Sequence, residues 1–552
     1  MLPLPTFGFQ SPHHRRNALA ILALLLTLGC LVTPIFAQRG EQAVAQPVQV
    51  DWPAVVRDAQ TLSPQLSSDP RDKAFSARHR TSVAKRLDSY ALKDGMVPLA
   101  HLNEHVVELF PGVATVPVPV LVPFETARFL SQKARSKGDR PRLRPSQHRD
   151  FLYGAGGNVR LVPGATGYDA LVTFAPSTLQ SLGITSKEKP LLHIGGSALT
   201  YGDAEPGVLV AELQDQYPGL RRSRNEEDVT YTFRKYGVPY FATVVCTDTP
   251  TNQNVLKCEQ ADALVRAALR NFHLIGGGPM ARKSSRASAV VVSGPTGVSA
   301  EFKYYPPGKL LPGSGVDGQG GSTDASVYGD ILFPIKLSPT FAQSQVYMHW
   351  GDCGGGNNKQ PLPKQTGDKH ARYKCKQNDK QLLEWEGHPE NYAYPWRDNF
   401  CEARDRDTLK CPAGRGHQGQ DIRPSKCIPK SNDPERCQPD IHDVVAVADG
   451  VAFRDGNIVR LKVDGSAVYY VYLHMNTGTL DTAGIKNQQD NPVRKGQVIG
   501  KVGDFQDVPG GTTAHLHFEV RTAAPKMPQS PYMTLIRAYE RLIGAQGTEI
   551  TD

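Results

Sequence analysis

The stretch Ala514-His515-Leu516-His517-Phe518-Glu519-Val520 sets two histidines two residues apart with apolar side chains between them. Read as a strand, its period-two alternation puts His515 and His517 on one face and Leu516 and Phe518 on the other. Two imidazoles aimed at one point suit a metal site or an acid–base pair, although two strand histidines alone also fit a purely structural role. Upstream, Gly416-His417-Gln418-Gly419-Gln420-Asp421-Ile422 supplies a histidine and a carboxylate four residues apart, a spacing that restores the same face of an extended segment. His417, Asp421 and one histidine of the pair make a three-ligand set of nitrogen and oxygen donors with one coordination position open. That composition fits catalytic zinc better than structural zinc, which takes four protein ligands. Between the two motifs, Tyr472-Leu473-His474-Met475 adds a histidine in a β-rich context.

Taken in order, G-H-Q-G-Q-D-I, Y-L-H-M, V-R-K-G-Q-V-I-G-K-V-G and H-L-H-F-E-V resemble the lysostaphin/LytM-type zinc metallopeptidases. The resemblance spans residues 327–521 and is densest from Gly414 onward. It implies one Zn2+ per chain, held by His417, Asp421 and His517, with His474 and His515 as the two catalytic histidines that are not ligands. One would take the proton of the attacking water, and the other, protonated, would stabilise the tetrahedral oxyanion. The implied substrate is the peptide cross-link of bacterial peptidoglycan, either a Gly-Gly bond or a D-Ala to diamino-acid bond. All five positions are intact, which argues against a relative that has lost catalysis. Glu519 alternates onto the face of His517 and reads either as a partner that orients an imidazole or as a surface carboxylate. Two other readings stand beside the endopeptidase: a wall-binding regulator that activates another hydrolase without cutting, and a secreted protease acting on proteins.

The elements that must position these residues occupy the last part of a chain of 552 residues, too long for one core. The fold class expected is multidomain. A LytM-type zinc metallopeptidase domain of mostly antiparallel β structure (326–545), with a Cys-rich insertion (349–412), follows a mixed α/β domain of unassigned role (151–282). Before that lies a helical and irregular region ending in a basic linker (38–150), and a Gly/Pro/Ser-rich linker (283–325) separates the two domains. In the first region, Val55, Val56, Ala59 and Leu62 share a side, as helix spacing requires, while the Pro-interrupted run from Val113 to Pro123 reads as an edge strand or polyproline-like segment. Cys258 to Phe272 has helical spacing, with Ala261, Leu264, Ala268 and Leu269 on one side. The aromatic residues Trp350, Trp385, Tyr392, Tyr394 and Trp396 of the insertion either line a groove or anchor loops.

Residues 1–37 read as a signal peptide. A basic segment, His13 to Arg16, precedes an apolar run from Ala18 to Val32 that is short for a membrane span, and Ile35-Phe36-Ala37 makes a cleavage site. Export implies a periplasmic, envelope-associated or secreted protein; membrane attachment is expected only if the signal stays uncleaved or Cys30 is lipidated. Of the nine cysteines, the eight beyond Cys30 form an even set suited to disulfides. Cys246 and Cys258 flank a polar loop and are the pair expected to close it. The net charge of +9 fits attraction to an anionic wall polymer as well as a solvated surface, and no nucleic-acid motif accompanies it, so peptidoglycan and not nucleic acid is the expected partner. Nothing in the sequence fixes the oligomeric state.

Overall fold

The structure is a computed structural model. It describes residues 41–62, 96–135, 151–279, 297–343 and 386–551, short stretches within them excepted, together with three short strands between 359 and 381. The expected signal peptide, the basic run beyond residue 135 and most of the Cys-bearing insertion lie outside the described residues. Among the described residues no helix is long and apolar enough to cross a membrane.

The N-terminal half is built on seven antiparallel strands: β1 (Asn158–Gly164), β2 (Gly167–Thr173), β3 (Leu191–Ser197), β4 (Val208–Leu209), β5 (Arg221–Arg224), β6 (Asp228–Lys235) and β7 (Val238–Val245). They lie in the order β1-β2-β3-β7-β6-β5-β4. Alternation sorts the faces. Val229, Tyr231 and Phe233 of β6, with Tyr240, Ala242 and Val244 of β7, join one apolar core. Helix Cys258–Leu269 packs there through Ala261, Leu264, Ala268 and Leu269, the side that its spacing predicts. The same core takes in Val55 and Ala59 of helix Trp52–Leu62 and Leu99, Leu102 and Val106 of helix Val97–Val106, all from the stretch read as a separate region before residue 151. Val120–Val122, within the Pro-interrupted run, is a strand and pairs with His273–Gly276. Cys246 and Cys258 are bonded to each other.

The C-terminal half carries a second antiparallel sheet of eight strands. Six follow the order of the motifs: β10 (Gln420–Pro424), β11 (Gly450–Asp455), β12 (Ile458–Lys462), β13 (Val468–Leu473), β14 (Asp490–Val493) and β15 (Leu516–Thr522). With β9 (Thr340–Ala342) the order is β9-β10-β15-β13-β12-β11-β14, and Pro528–Gln529 lies beside β15. Leu516, Phe518 and Val520 of β15 and Val468, Tyr470 and Tyr472 of β13 face the core that helix Tyr532–Ile543 covers. Part of the span read as linker is ordered strand. β8 (Gly297–Tyr304) runs parallel to Ala545–Glu549 and inserts Phe302 against Trp396 and Tyr539, with ring centroids 5.0 and 4.8 Å away. Trp396 is completely buried there, so this insertion aromatic is an anchor.

The outer faces of the two sheets meet. Leu171 and Leu191 pack on Phe453, and Val245 packs against Ile458, Val471 and Leu473. Between these apolar contacts runs a buried polar seam. Asp169 accepts from Lys462 and from the Tyr469 hydroxyl, and lies 2.7 Å from His193 Nε2. Asp228 Oδ2 lies 3.3 Å from Arg521 and 3.4 Å from Arg460. The face of β15 that is free of the apolar core, carrying His517, Glu519 and Arg521, is the face turned toward this seam.

Candidate metal site

Strand pairing brings the two sequence motifs together. Asp421 on β10 and His517 on β15 are direct cross-strand partners, which puts their Cβ atoms on one face a few ångströms apart. The approach is close because Gly419 lies against β15: a Cβ there would sit 2.6 Å from both His517 Nε2 and the Phe518 carbonyl oxygen. His417, four residues before Asp421, returns to the same face. Its Nε2 lies 2.9 Å from His517 Nδ1 and 3.3 Å from Asp421 Oδ1, and His517 Nδ1 lies 3.1 Å from that oxygen. All three side chains are completely buried.

Protons decide what this cluster can hold. His417 donates its Nδ1–H to the Asn399 carbonyl at 2.9 Å, which leaves Nε2 as a lone pair. His517 donates its Nε2–H to Glu519 Oε1 at 3.1 Å, which leaves Nδ1 as a lone pair. Asp421 Oδ2 accepts from Asn399 Nδ2 at 2.8 Å, leaving Oδ1 facing the two nitrogens. Three electron pairs thus converge with no proton assigned between them, an arrangement that a cation stabilises. Donor atoms at 2.0–2.1 Å from a tetrahedral zinc stand roughly 3.3 Å apart, which the observed separations match. Burial alone would raise the Asp421 carboxyl, whereas positive charge beside it, as on protonated His417 or His515, outweighs that and holds it well below the usual carboxylate range. Glu519 is likewise buried, and Arg521 with His517 holds its carboxyl low.

The other two histidines flank the cluster. His515 Nδ1 lies 2.7 Å from the Thr513 carbonyl, to which it donates, and its buried Nε2 lies 3.3 Å from Asp421 Oδ1 without a hydrogen-bond partner among the described residues. His474 donates its Nδ1–H to the Phe505 carbonyl at 2.9 Å, and its ring centroid is 4.6 Å from that of His515. It sits just past the end of β13 in the left-handed region, at φ 70°. A Cβ on Gly503 would meet the His474 carbonyl oxygen at 2.3 Å, so only glycine lets that loop close on it. Non-glycine residues at positive φ concentrate at functional sites, where surrounding structure holds them.

The model of Peptidase family M23 matches residues 438–529. The C-terminal part of the chain carries an M23 peptidase domain. The matched span contains His474, His515 and His517 and starts downstream of His417 and Asp421, which reach the M23 histidines through the pairing of β10 with β15. No curated protein and no solved structure matches the chain.

Sequence reasoning left out three residues that support the cluster. Glu519 had a signal, since alternation places it on the face of His517, and burial settles which of its two readings applies. Asn399 brackets Asp421 by accepting from its backbone N–H at 3.1 Å as well as donating to Oδ2, yet it lies outside every motif. Arg521 grips Glu519 through Nε and, at 2.9 Å, through Nη2. The histidines His349, His370 and His388 lie outside the described residues, and His442 is not part of the cluster.

Proposed function

We propose that this protein is an exported zinc-dependent endopeptidase that hydrolyses peptide cross-links of bacterial peptidoglycan. The observation that carries the reading is the convergence of His417 Nε2, Asp421 Oδ1 and His517 Nδ1 beside two further histidines. Their other ring nitrogens and the second carboxylate oxygen are committed to partners, so the donor set is fixed in tautomer and direction. Zinc held there supplies Lewis acidity, which polarises a scissile carbonyl and makes water nucleophilic near neutral pH.

His417, Asp421 and His517 hold the ion in this reading. His515 and His474, each with Nδ1–H tied to a backbone carbonyl, keep Nε2 for proton transfer and for the oxyanion. One accepts the proton of the attacking water; the other, protonated, donates to the oxygen that gains charge. The substrate class comes from the M23 resemblance: a glycine-rich or D-residue peptide lacks bulky L side chains and fits a narrow groove. Export is supported by the apolar run near the N-terminus and by the Cys246–Cys258 and Cys427–Cys437 disulfides, which persist in oxidising compartments.

The test pairs zinc content with digestion of purified peptidoglycan. Near one zinc per chain together with release of soluble wall peptides is the expected result. Zinc-replete protein that binds peptidoglycan without cutting it would instead make the chain a regulator, and release of peptides from casein alone would make it a general protease.

A further inference from the structure

His517 is oriented by a chain of charged groups that leaves the M23 domain. Its Nε2–H is accepted by Glu519 Oε1 at 3.1 Å. The same oxygen accepts from Arg521 Nη2 at 2.9 Å, while Arg521 Nε grips the other carboxylate oxygen. The guanidinium also reaches Gln418 Oε1 at 3.2 Å, next to His417 in sequence. Its remaining nitrogen, Nη1, lies 3.3 Å from Asp228 Oδ2, and Asp228 is the first residue of β6 on the N-terminal sheet, 293 residues away. Asp228 is itself held by Thr230, whose hydroxyl donates to Oδ1 at 2.9 Å. Every member of the series is buried.

We propose that Asp228 is a positioning residue for the histidine His517, acting through Arg521 and Glu519, so that the N-terminal sheet completes the surroundings of the M23 metal site. The inference rests on the reading of His417, Asp421 and His517 as that site. The physical argument is one of charge in a dry place. Arg521 and Arg460 both approach Asp228 Oδ2, at 3.3 and 3.4 Å. Without that carboxylate two buried guanidiniums of the C-terminal sheet lie side by side with no shared anion, and Arg521 is driven from Arg460 further onto Glu519. Glu519 Oε1 serves Arg521 and His517 together, so a shift of the guanidinium changes what His517 receives. A histidine whose outer partner moves loses both its fixed tautomer and its direction. Loss of such partners costs typically about 10–100-fold in metal affinity.

The seam supplies its own control. Asp169 is equally buried and equally paired across the two domains, with Lys462, Tyr469 and His193, but it touches neither Glu519 nor Arg521. Full-length Asp228→Ala, Asp228→Asn and Asp169→Asn would be titrated with zinc against a chelator of known affinity. The absorption spectrum of the cobalt-substituted proteins would be recorded alongside, with near-ultraviolet circular dichroism to certify the fold. The expected result is a zinc affinity lowered about 10–100-fold in Asp228→Ala, with an altered cobalt spectrum, and an affinity near wild type in Asp169→Asn. If Asp228→Ala does not fold, Asp228→Asn, which keeps one acceptor oxygen for Arg521 while removing the charge, carries the same comparison. Folded Asp228 variants that bind zinc as wild type does overturn the proposal, as do equal losses in Asp169→Asn. Wild-type protein that binds no zinc would defeat the underlying metal-site reading instead, a result distinct from either.

Discussion

On the N-terminal sheet, Asp169 of β2 and His193 of β3 lie on neighbouring strands, 2.7 Å apart and buried. On the M23 sheet, Asp421 of β10 and His517 of β15 do the same at 3.1 Å. Residue types and burial agree, although Asp421 faces His517 directly while Asp169 and His193 are diagonal neighbours, and the outcomes differ because of what points at each carboxylate. Asp169 is surrounded by donors: the Lys462 ammonium, the Tyr469 hydroxyl and His193. Its charge is answered within the protein, and despite burial its carboxyl is held far below the usual range, chiefly by Lys462. Asp421 Oδ1 faces nitrogens whose protons are used elsewhere, so its site calls for a cation from outside. Whether a histidine beside a carboxylate could hold a cation turns on the tautomer its far nitrogen is forced to adopt.

Removing the converging donors one at a time has the largest expected effect. His417→Ala, Asp421→Ala and His517→Ala are expected to lose zinc and peptidoglycan hydrolysis together. His515→Ala and His474→Ala are expected to keep near-stoichiometric zinc while turnover falls by about 10²–10⁴-fold, the usual contribution of proton-transfer groups. Metal content by plasma emission beside the digestion rate separates the two classes. An empty site in His515→Ala with a full one in His517→Ala would reverse the assignment within the pair.

Next in size is the effect of the strand that finishes the M23 core. A fragment of residues 297–552 retains Phe302 against Trp396 and Tyr539 and Tyr304 in the same core, and a fragment starting at 326 does not. Truncating one buried aromatic costs about 3–5 kcal/mol, so the shorter fragment should show a far lower denaturant midpoint or fail to fold. Equal midpoints would show that β8 is dispensable to the domain.

The smallest effect belongs to the satisfied carboxylate. Asp169→Asn should cost about 2 kcal/mol at neutral pH, the scale of hydrogen bonds to a charged group. Because the folded-state pKa of Asp169 lies below its unfolded value near ~3.9, its stabilisation is complete above that pH and is lost as pH falls toward the folded value. The gap in unfolding free energy between wild type and Asp169→Asn should therefore shrink as pH falls below about 4. A gap that instead grew below that pH would contradict the assignment of charge at Asp169.

The gathering of His417, Asp421, His515 and His517 on one face was legible in the sequence because its pattern is local: His417 and Asp421 share a face by spacing, as do His515 and His517. The helix Cys258–Leu269 and the disulfide beside it were legible for the same reason. What escaped depends on contacts between distant segments. β8 has only Phe302 and Tyr304 turned inward among exposed or half-exposed neighbours, so its composition resembles a linker, and its partner lies at the far end of the chain. Asn399 reaches Asp421 from a region whose spacing carries no period. Asp228 meets Arg521 across 293 residues, a pairing that no window along the sequence contains.

The complete burial of His417, Asp421 and His517 bears on time as well as on structure. A small chelator must wait for an opening before it touches these donor atoms. When closing is slow compared with capture, the loss of metal proceeds at the opening rate and stops responding to chelator concentration. When closing is fast, the chelator's apparent affinity is weakened by the fraction of molecules that are open at any moment. The clock of this centre is then kept by the protein around it and not by the chemistry within.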